Sequence, residues 1–192
     1  MKLDVPYYSQ FVDIQDPFWM LRACGATSLK MVLEFHGKVV PDIVTLCNEA
    51  KERGGYHMAN GWVHDYLVKK AQELGLQAYR KEGLTSLDEI KASLDAGNPV
   101  VVSVEKRVLE QKRFHIIVIV GYDTVAEDRG TNAEGTRENA PSVSTNSSEL
   151  IANSCLYYHE PESTDKEKGK YHSCDEATFM EYFRGKAIFF TK

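Results

Sequence analysis

The stretch that most constrains the fold of this 192-residue chain is Ile116-Ile-Val-Ile-Val120, five β-branched apolar residues in a row. It is far shorter than the ~20 apolar residues a membrane-spanning helix needs. It also lacks the alternation that would leave one face to water. The run is therefore expected as a buried strand over His115–Asp123, and Val100-Val-Val-Ser-Val104 as a second. Ser154-Cys-Leu-Tyr-Tyr-His159 resumes strand character, and Lys186-Ala-Ile-Phe-Phe190 is the closing strand.

Upstream the apolar period changes to that of helices. From Cys24 to Gly37, small residues surround the cysteine, then Leu29, Val32, Leu33 and Phe35 follow at helical spacing until Gly37 stops the pattern. Pro41-Asp42 starts a second helix running to about Arg53. Asn60 is expected to cap a third that carries Val63, Leu67, Val68, Ala71 and Leu74. A short strand over Leu76–Tyr79 follows. Ser86-Leu-Asp-Glu89 is a capping box for a fourth helix, stopped by Gly97-Asn-Pro99. A second capping box, Ser173-Cys-Asp-Glu176, opens a helix to Arg184, which Gly185 ends. Helices precede strands, so the expectation is an α+β fold, one domain over 1–192. A helical lobe of about 18–97 packs against a mainly antiparallel sheet in a lobe of about 98–192. Residues 124–150, rich in Glu, Asn, Thr, Ser and Gly, read as a polar insertion or mobile loop.

Composition narrows the function classes. A net charge of −5, with no Lys/Arg cluster, argues against nucleic acid as a partner. No segment is apolar enough for a membrane, and Met-Lys-Leu-Asp-Val-Pro has no signal-peptide core, so a cytoplasmic location is expected. A secreted protein whose signal has been removed is the alternative. The four cysteines at 24, 47, 155 and 174 contain no CxxC pair and suggest neither a zinc finger nor a disulfide framework. Cys47 lies on the apolar face of its helix and reads as an inert buried thiol. Cys155 and Cys174 could pair in an oxidising compartment. There is no HExxH, and no metal or cofactor is expected.

Cys24 stands out because the first turn of a helix offers unpaired backbone N–H groups and the positive end of the dipole, both favouring thiolate. A cysteine nucleophile needs a base, a group that orients the base, and oxyanion donors. Among six histidines, His36 sits about 18 Å away at the far end of the same helix. His57, His64 and His172 read as solvated or capping residues. His115 heads an apolar strand where burial asks for no imidazole, so it reads either as the base or as a hydrogen-bonded rim histidine. Asp123 lies eight residues along that strand, about 26 Å off at ~3.3 Å per residue, too far to orient His115. A strand ending near His159 and pairing antiparallel with 115–123 would bring Glu160 beside His115, with Pro161 ending it. His159 would point to the opposite face. Gln10, ahead of the nucleophile helix, is the candidate side-chain donor to the oxyanion beside the Cys24 N–H. A polar surface role is its other reading.

Four segments in this order, Asp4-Val-Pro-Tyr-Tyr-Ser-Gln10, Cys24-Gly-Ala-Thr-Ser-Leu-Lys-Met-Val-Leu, Gly97-Asn-Pro-Val-Val-Val-Ser-Val and His115-Ile-Ile-Val-Ile-Val-Gly-Tyr-Asp, resemble the double-glycine-leader (bacteriocin-processing) peptidase-like proteins. These are cysteine peptidases of the papain-like superfamily. The resemblance implies a papain-like fold, Cys24 as nucleophile, His115 as base and Gln10 as oxyanion residue. It also implies an acid in an Asp-Pro pair after the next strand, where this chain has Glu160-Pro161. The expected function is hydrolysis of a peptide or amide bond in a peptide or protein substrate through a Cys-His-Glu triad and an acyl-enzyme. A non-catalytic scaffold binding a peptide or protein, and an acyltransferase using the same Cys-His pair, are the alternatives.

Overall fold

The protein is described here from a computed structural model that covers residues 1–108, 111–125 and 153–191. Its first half contains α1 (Gln10–Asp13), α2 (Cys24–Phe35), α3 (Ile43–Glu52), the short strands β1 (Tyr56–His57) and β2 (Gly61–Trp62), α4 (His64–Glu73), β3 (Gln77–Glu82) and α5 (Asp88–Asp95). The second half contains β4 (Val100–Val108), β5 (Gln111–Val125), β6 (Asn153–His159), α6 (Lys166–Gly169), β7 (His172–Asp175), α7 (Glu176–Tyr182) and β8 (Phe183–Thr191). The long strands form one six-stranded sheet in the order β3-β8-β4-β5-β6-β7, every pairing antiparallel. The fold is α+β, as expected.

The unbroken apolar run is explained by cover on both faces of the sheet. Ile116, Val118 and Val120 pack with Val101, Ile188 and residues of α2, α3 and α4. Ile117 and Ile119 point the other way, toward Val100, Val102, Ile90 and Leu94 of α5, and Phe179 of α7. Alternate residues of the run thus serve two cores, and no position from Ile116 to Val120 is left to solvent. Residues 18–97, expected as a single helical lobe, also give β3 to an edge of the sheet and α5 to its second face.

Several expected boundaries move for local reasons. Asn60 caps no helix. It sits in the turn between β1 and β2, where Gly61 has φ +74°, and α4 starts at His64 after an N-cap, Val63, that makes no side-chain bond. The Ser86 hydroxyl lies 3.4 Å from the Asp88 N–H, but α5 itself begins at Asp88 without a side-chain cap. Ser173 belongs to β7, and Asp175 caps α7 through the Thr178 N–H at 2.8 Å. α7 ends at Tyr182, and Arg184-Gly185 is instead a bulge in β8, between the pairs Ser103–Lys186 and Val104–Phe183. The expected insertion at 124–150 lies almost wholly outside the described residues. Among the described residues no helix is long and apolar enough to cross a membrane.

Candidate active site

The start of α2 owes its shape to small residues. Ala23, Cys24, Gly25, Ala26, Thr27 and Ser28 are all buried, and no side chain caps the helix, so its positive end is not neutralised by a cap. Gly25 is required at its place: a Cβ there would lie 2.5 Å from the Trp62 ring. Trp62 Nε1 donates to the Arg22 carbonyl at 2.7 Å, which holds the indole over this first turn. One turn after Cys24, Ser28 Oγ donates to the Ile116 carbonyl at 3.4 Å. That bond ties the cysteine helix to the strand residue next to His115.

The side chain of His115 is fully buried, and its Nε2 lies 2.6 Å from Glu160 Oε1. Among the described residues Nδ1 has no hydrogen bond of standard geometry, and it lies 3.6 Å from Glu162 Oε1. Burial pushes the imidazole pKa down. Interaction with the Cys24 side chain, followed by the Glu160 hydrogen bond and charge, outweighs burial and leaves it pushed up to about 9. Burial pushes the Glu160 carboxyl up, but the His115 hydrogen bond and charge and then the Lys106 ammonium, 2.7 Å away, bring it down to about 2. Both directions favour an imidazolium facing a carboxylate.

Glu160 is positioned by the end of β6. His159 pairs with Val118 of β5, and the chain then turns at Pro161. The Glu160 N–H donates to the Gly169 carbonyl at 2.9 Å, Tyr7 donates to the Glu160 carbonyl at 2.7 Å, and the Glu162 N–H donates to Oε1 at 2.8 Å. Asp123 is at the far end of β5, where it accepts from the Tyr157 hydroxyl at 2.8 Å. His159 Nε2 donates to the Val5 carbonyl, while its Nδ1 accepts from the Tyr171 N–H; burial above all pushes it down to about 4.

Gln10 is completely buried, not a surface residue. Its backbone N–H donates to the Pro161 carbonyl at 2.8 Å, and its Nε2 donates to the Met20 carbonyl at 2.9 Å, four residues before Cys24. Its Oε1 has no hydrogen-bond partner among the described residues. Cys24 and His115 open onto a cleft of about 850 Å³, whereas Gln10 and Glu160 are not among the residues that line it. His64, expected as a solvated or capping residue, is instead a cleft residue bonded to Ser103 Oγ at 2.8 Å. Cys47 is buried, and burial pushes its thiol up, as expected of an inert residue. Cys155 and Cys174 are both free thiols.

Sequence reasoning missed Trp62, Ser28, Lys106 and Glu162. A tryptophan set alone among glycines and polar residues, and a second glutamate two residues after Glu160, were the available signals. His115, Glu160 and Glu162 also bring one ligand atom each within 4.8 Å, enough to touch a common metal ion. Cations already neutralise that cluster, however: Lys106 contacts both carboxylates, and Arg113 holds Glu162 at 2.6 Å.

Comparison with known proteins gives three findings. The model of the "Peptidase_C39 like family" matches residues 2–133, a range that contains Gln10, Cys24 and His115 and ends before Glu160. The peptidase domain of Streptococcus ComA, a bi-functional ABC transporter involved in a quorum sensing pathway, has a similar fold. It is 18% identical, with a TM-score of 0.53, over 89% of this chain and 92% of that one. The Streptococcus mutans ComA peptidase domain, in complex with a small-molecule inhibitor, aligns at 16% identity and a TM-score of 0.45, over 89% and 93% of the two chains. No curated protein gives a significant match.

Proposed function

The chain belongs to the peptidase C39-like family, and from that premise we propose that it hydrolyses an amide bond of a peptide or protein through Cys24, His115, Glu160 and Gln10. The observation that carries this reading is the buried His115–Glu160 contact at 2.6 Å, next to a cysteine at the uncapped start of a helix. A protonated His115 beside Cys24 favours the thiolate. The thiolate sulfur attacks the amide carbonyl carbon, and the carbonyl oxygen takes up the negative charge. The Cys24 backbone N–H and the second amide hydrogen of Gln10, the one not given to Met20, are the proposed donors to that oxygen. As the C–N bond breaks, the His115 proton passes to the leaving amine and a thioester remains. Water, deprotonated by His115, then attacks the thioester, releasing the acid and restoring the thiolate–imidazolium pair. Glu160 keeps the imidazole oriented throughout.

A scaffold that binds a peptide without cutting it is the second reading. The engagement of Gln10 Nε2 with Met20 favours it, as does a glutamate, one methylene longer than aspartate, as the acid. Incubation with a mixed peptide library and mass analysis of the products separates the two. New amide-bond cleavages that grow linearly with enzyme concentration are expected. Peptides retained but never cut would establish the scaffold instead. Added amines that capture the acyl group in preference to water would mark a transferase.

A further inference from the structure

The charge of the cleft is opposite to that of the chain. Although the net charge is −5, the cleft is lined by Arg22, Arg80, Lys112, Arg113, Arg184 and Lys186 against only Asp65 and Glu82. The cations are not equivalent. Arg80 is held by Asp65 and Glu82, Arg113 by Glu162, and Lys112 lies 3.1 Å from Glu105. Arg184, by contrast, meets no carboxylate in ion-pair range among the described residues. Its guanidinium lies over the Phe114 ring, 3.5 Å from the centroid.

Backbone geometry explains how Arg184 comes to face the cleft. Arg184 and Gly185 are the extra residues of the β8 bulge, and bulges beside active sites re-aim a side chain. Gly185, at φ +64°, supplies the backbone conformation this needs. Lys186 follows at once, paired across the sheet with Ser103 and only 3.3 Å from Glu82. Ser103 in turn holds His64. Burial first, and then Lys186, Arg184 and Arg80, keep the His64 imidazole below its usual pKa. That end of the cleft therefore gathers Arg80 and Lys186, which share Glu82, and Arg184, which meets no carboxylate among the described residues, about the His64 imidazole. An incoming carboxylate gives Arg184 the partner it lacks, and a planar guanidinium suits one.

We infer that the cleft selects acidic peptides, a Glu or Asp side chain near the reacting carbonyl laying its carboxylate between Arg184 and Lys186 at the end walled by His64 and Ser103. The inference rests on the peptidase reading and names the substrate class it would act on.

Two small alkylating agents test it without a known substrate. Iodoacetate and iodoacetamide react with the same sulfur but differ in charge. The ratio of their rates at Cys24 is expected to exceed that of a small free thiol severalfold, and to fall toward it as salt is raised to 1 M. Arg184→Gln and Lys186→Gln should each lower the ratio about two- to threefold, the effect of one charge acting across a solvated cleft. A ratio insensitive to salt and to both substitutions would overturn the acidic-peptide inference and leave the peptidase reading standing. If neither reagent modifies Cys24, the peptidase reading is what fails. Binding of a fluorescent Glu-containing peptide and its Gln counterpart then decides the inference: tighter, salt-sensitive binding of the Glu peptide supports it, and equal binding overturns it.

Discussion

Cys24→Ala is expected to reduce peptide hydrolysis to the buffer background, a loss of about 10³-fold or more, because among the described residues no other cysteine lines the cleft. Cys47 is buried in the α3 core and its thiol is pushed up by burial. Cys155 and Cys174 lie on β6 and β7, and neither lines the cleft. Alanine suits the first turn of a helix and fits a site that is only 7% exposed, so the variant should fold with an unchanged circular dichroism spectrum. Thermal unfolding and product formation measured on the same sample separate loss of chemistry from loss of structure. A folded variant that still cuts peptides at the wild-type rate would remove Cys24 from the mechanism.

The second large effect is expected from Glu160→Gln, which keeps the size of the side chain and removes its charge. The carboxylate now faces His115 at 2.6 Å, Lys106 at 2.7 Å and the Glu162 N–H at 2.8 Å. Without it, burial, the largest influence on His115, is opposed chiefly by Cys24, and the imidazole pKa falls from about 9. The turnover rate should drop about 10²- to 10⁴-fold with a smaller change in KM, since the group acts through the base and not on the substrate. Stability should also fall, by about 1–3 kcal/mol.

The sign of the pH dependence follows from the two shifts. His115 is raised, so its contribution is complete below the usual histidine value and is lost as pH rises through about 9. Glu160 is lowered, so its contribution is present above the usual carboxylate range and is lost as pH falls toward about 2. Wild-type stability should therefore be highest between those ordinary values and decline on both sides. Glu160→Gln should flatten both limbs, and Glu160→Asp should keep them while reducing turnover. Identical pH profiles for the wild type and Glu160→Gln would show that the pair does not couple to folding.

Much of this arrangement was legible in the residues because each signal was local or periodic. Helical spacing of apolar residues placed α2, α3 and α4, and the unbroken β-branched runs marked β4 and β5. Antiparallel pairing of β5 with a strand ending at His159 put Glu160 next to His115, the contact now seen at 2.6 Å. What escaped depends on tertiary context. A glycine at positive φ can end a helix or make a bulge, and Gly185 lies in a bulge because β8 goes on pairing with β4 beyond it, at Val104–Phe183. Ser173 lost its cap because β7 extends the sheet edge as far as Asp175. Trp62 covers Gly25 only because the β1–β2 hairpin folds back over α2, a contact between residues far apart in the chain. Lys106, Arg113 and Glu162 look like solvated charges in sequence. They become a linked group because β4, β5 and the turn at Pro161 meet there.

Whether Cys24 is a nucleophile set up by its histidine is read from the rate of its alkylation by iodoacetamide at pH 6, followed residue by residue by mass spectrometry. A cysteine paired with the His115 imidazolium should be modified at pH 6 far faster than Cys47, Cys155 or Cys174, and His115→Ala should abolish that preference. A Cys24 that stays unmodified at pH 6, or that reacts no faster than Cys155 and is indifferent to His115→Ala, is not a nucleophile activated by His115.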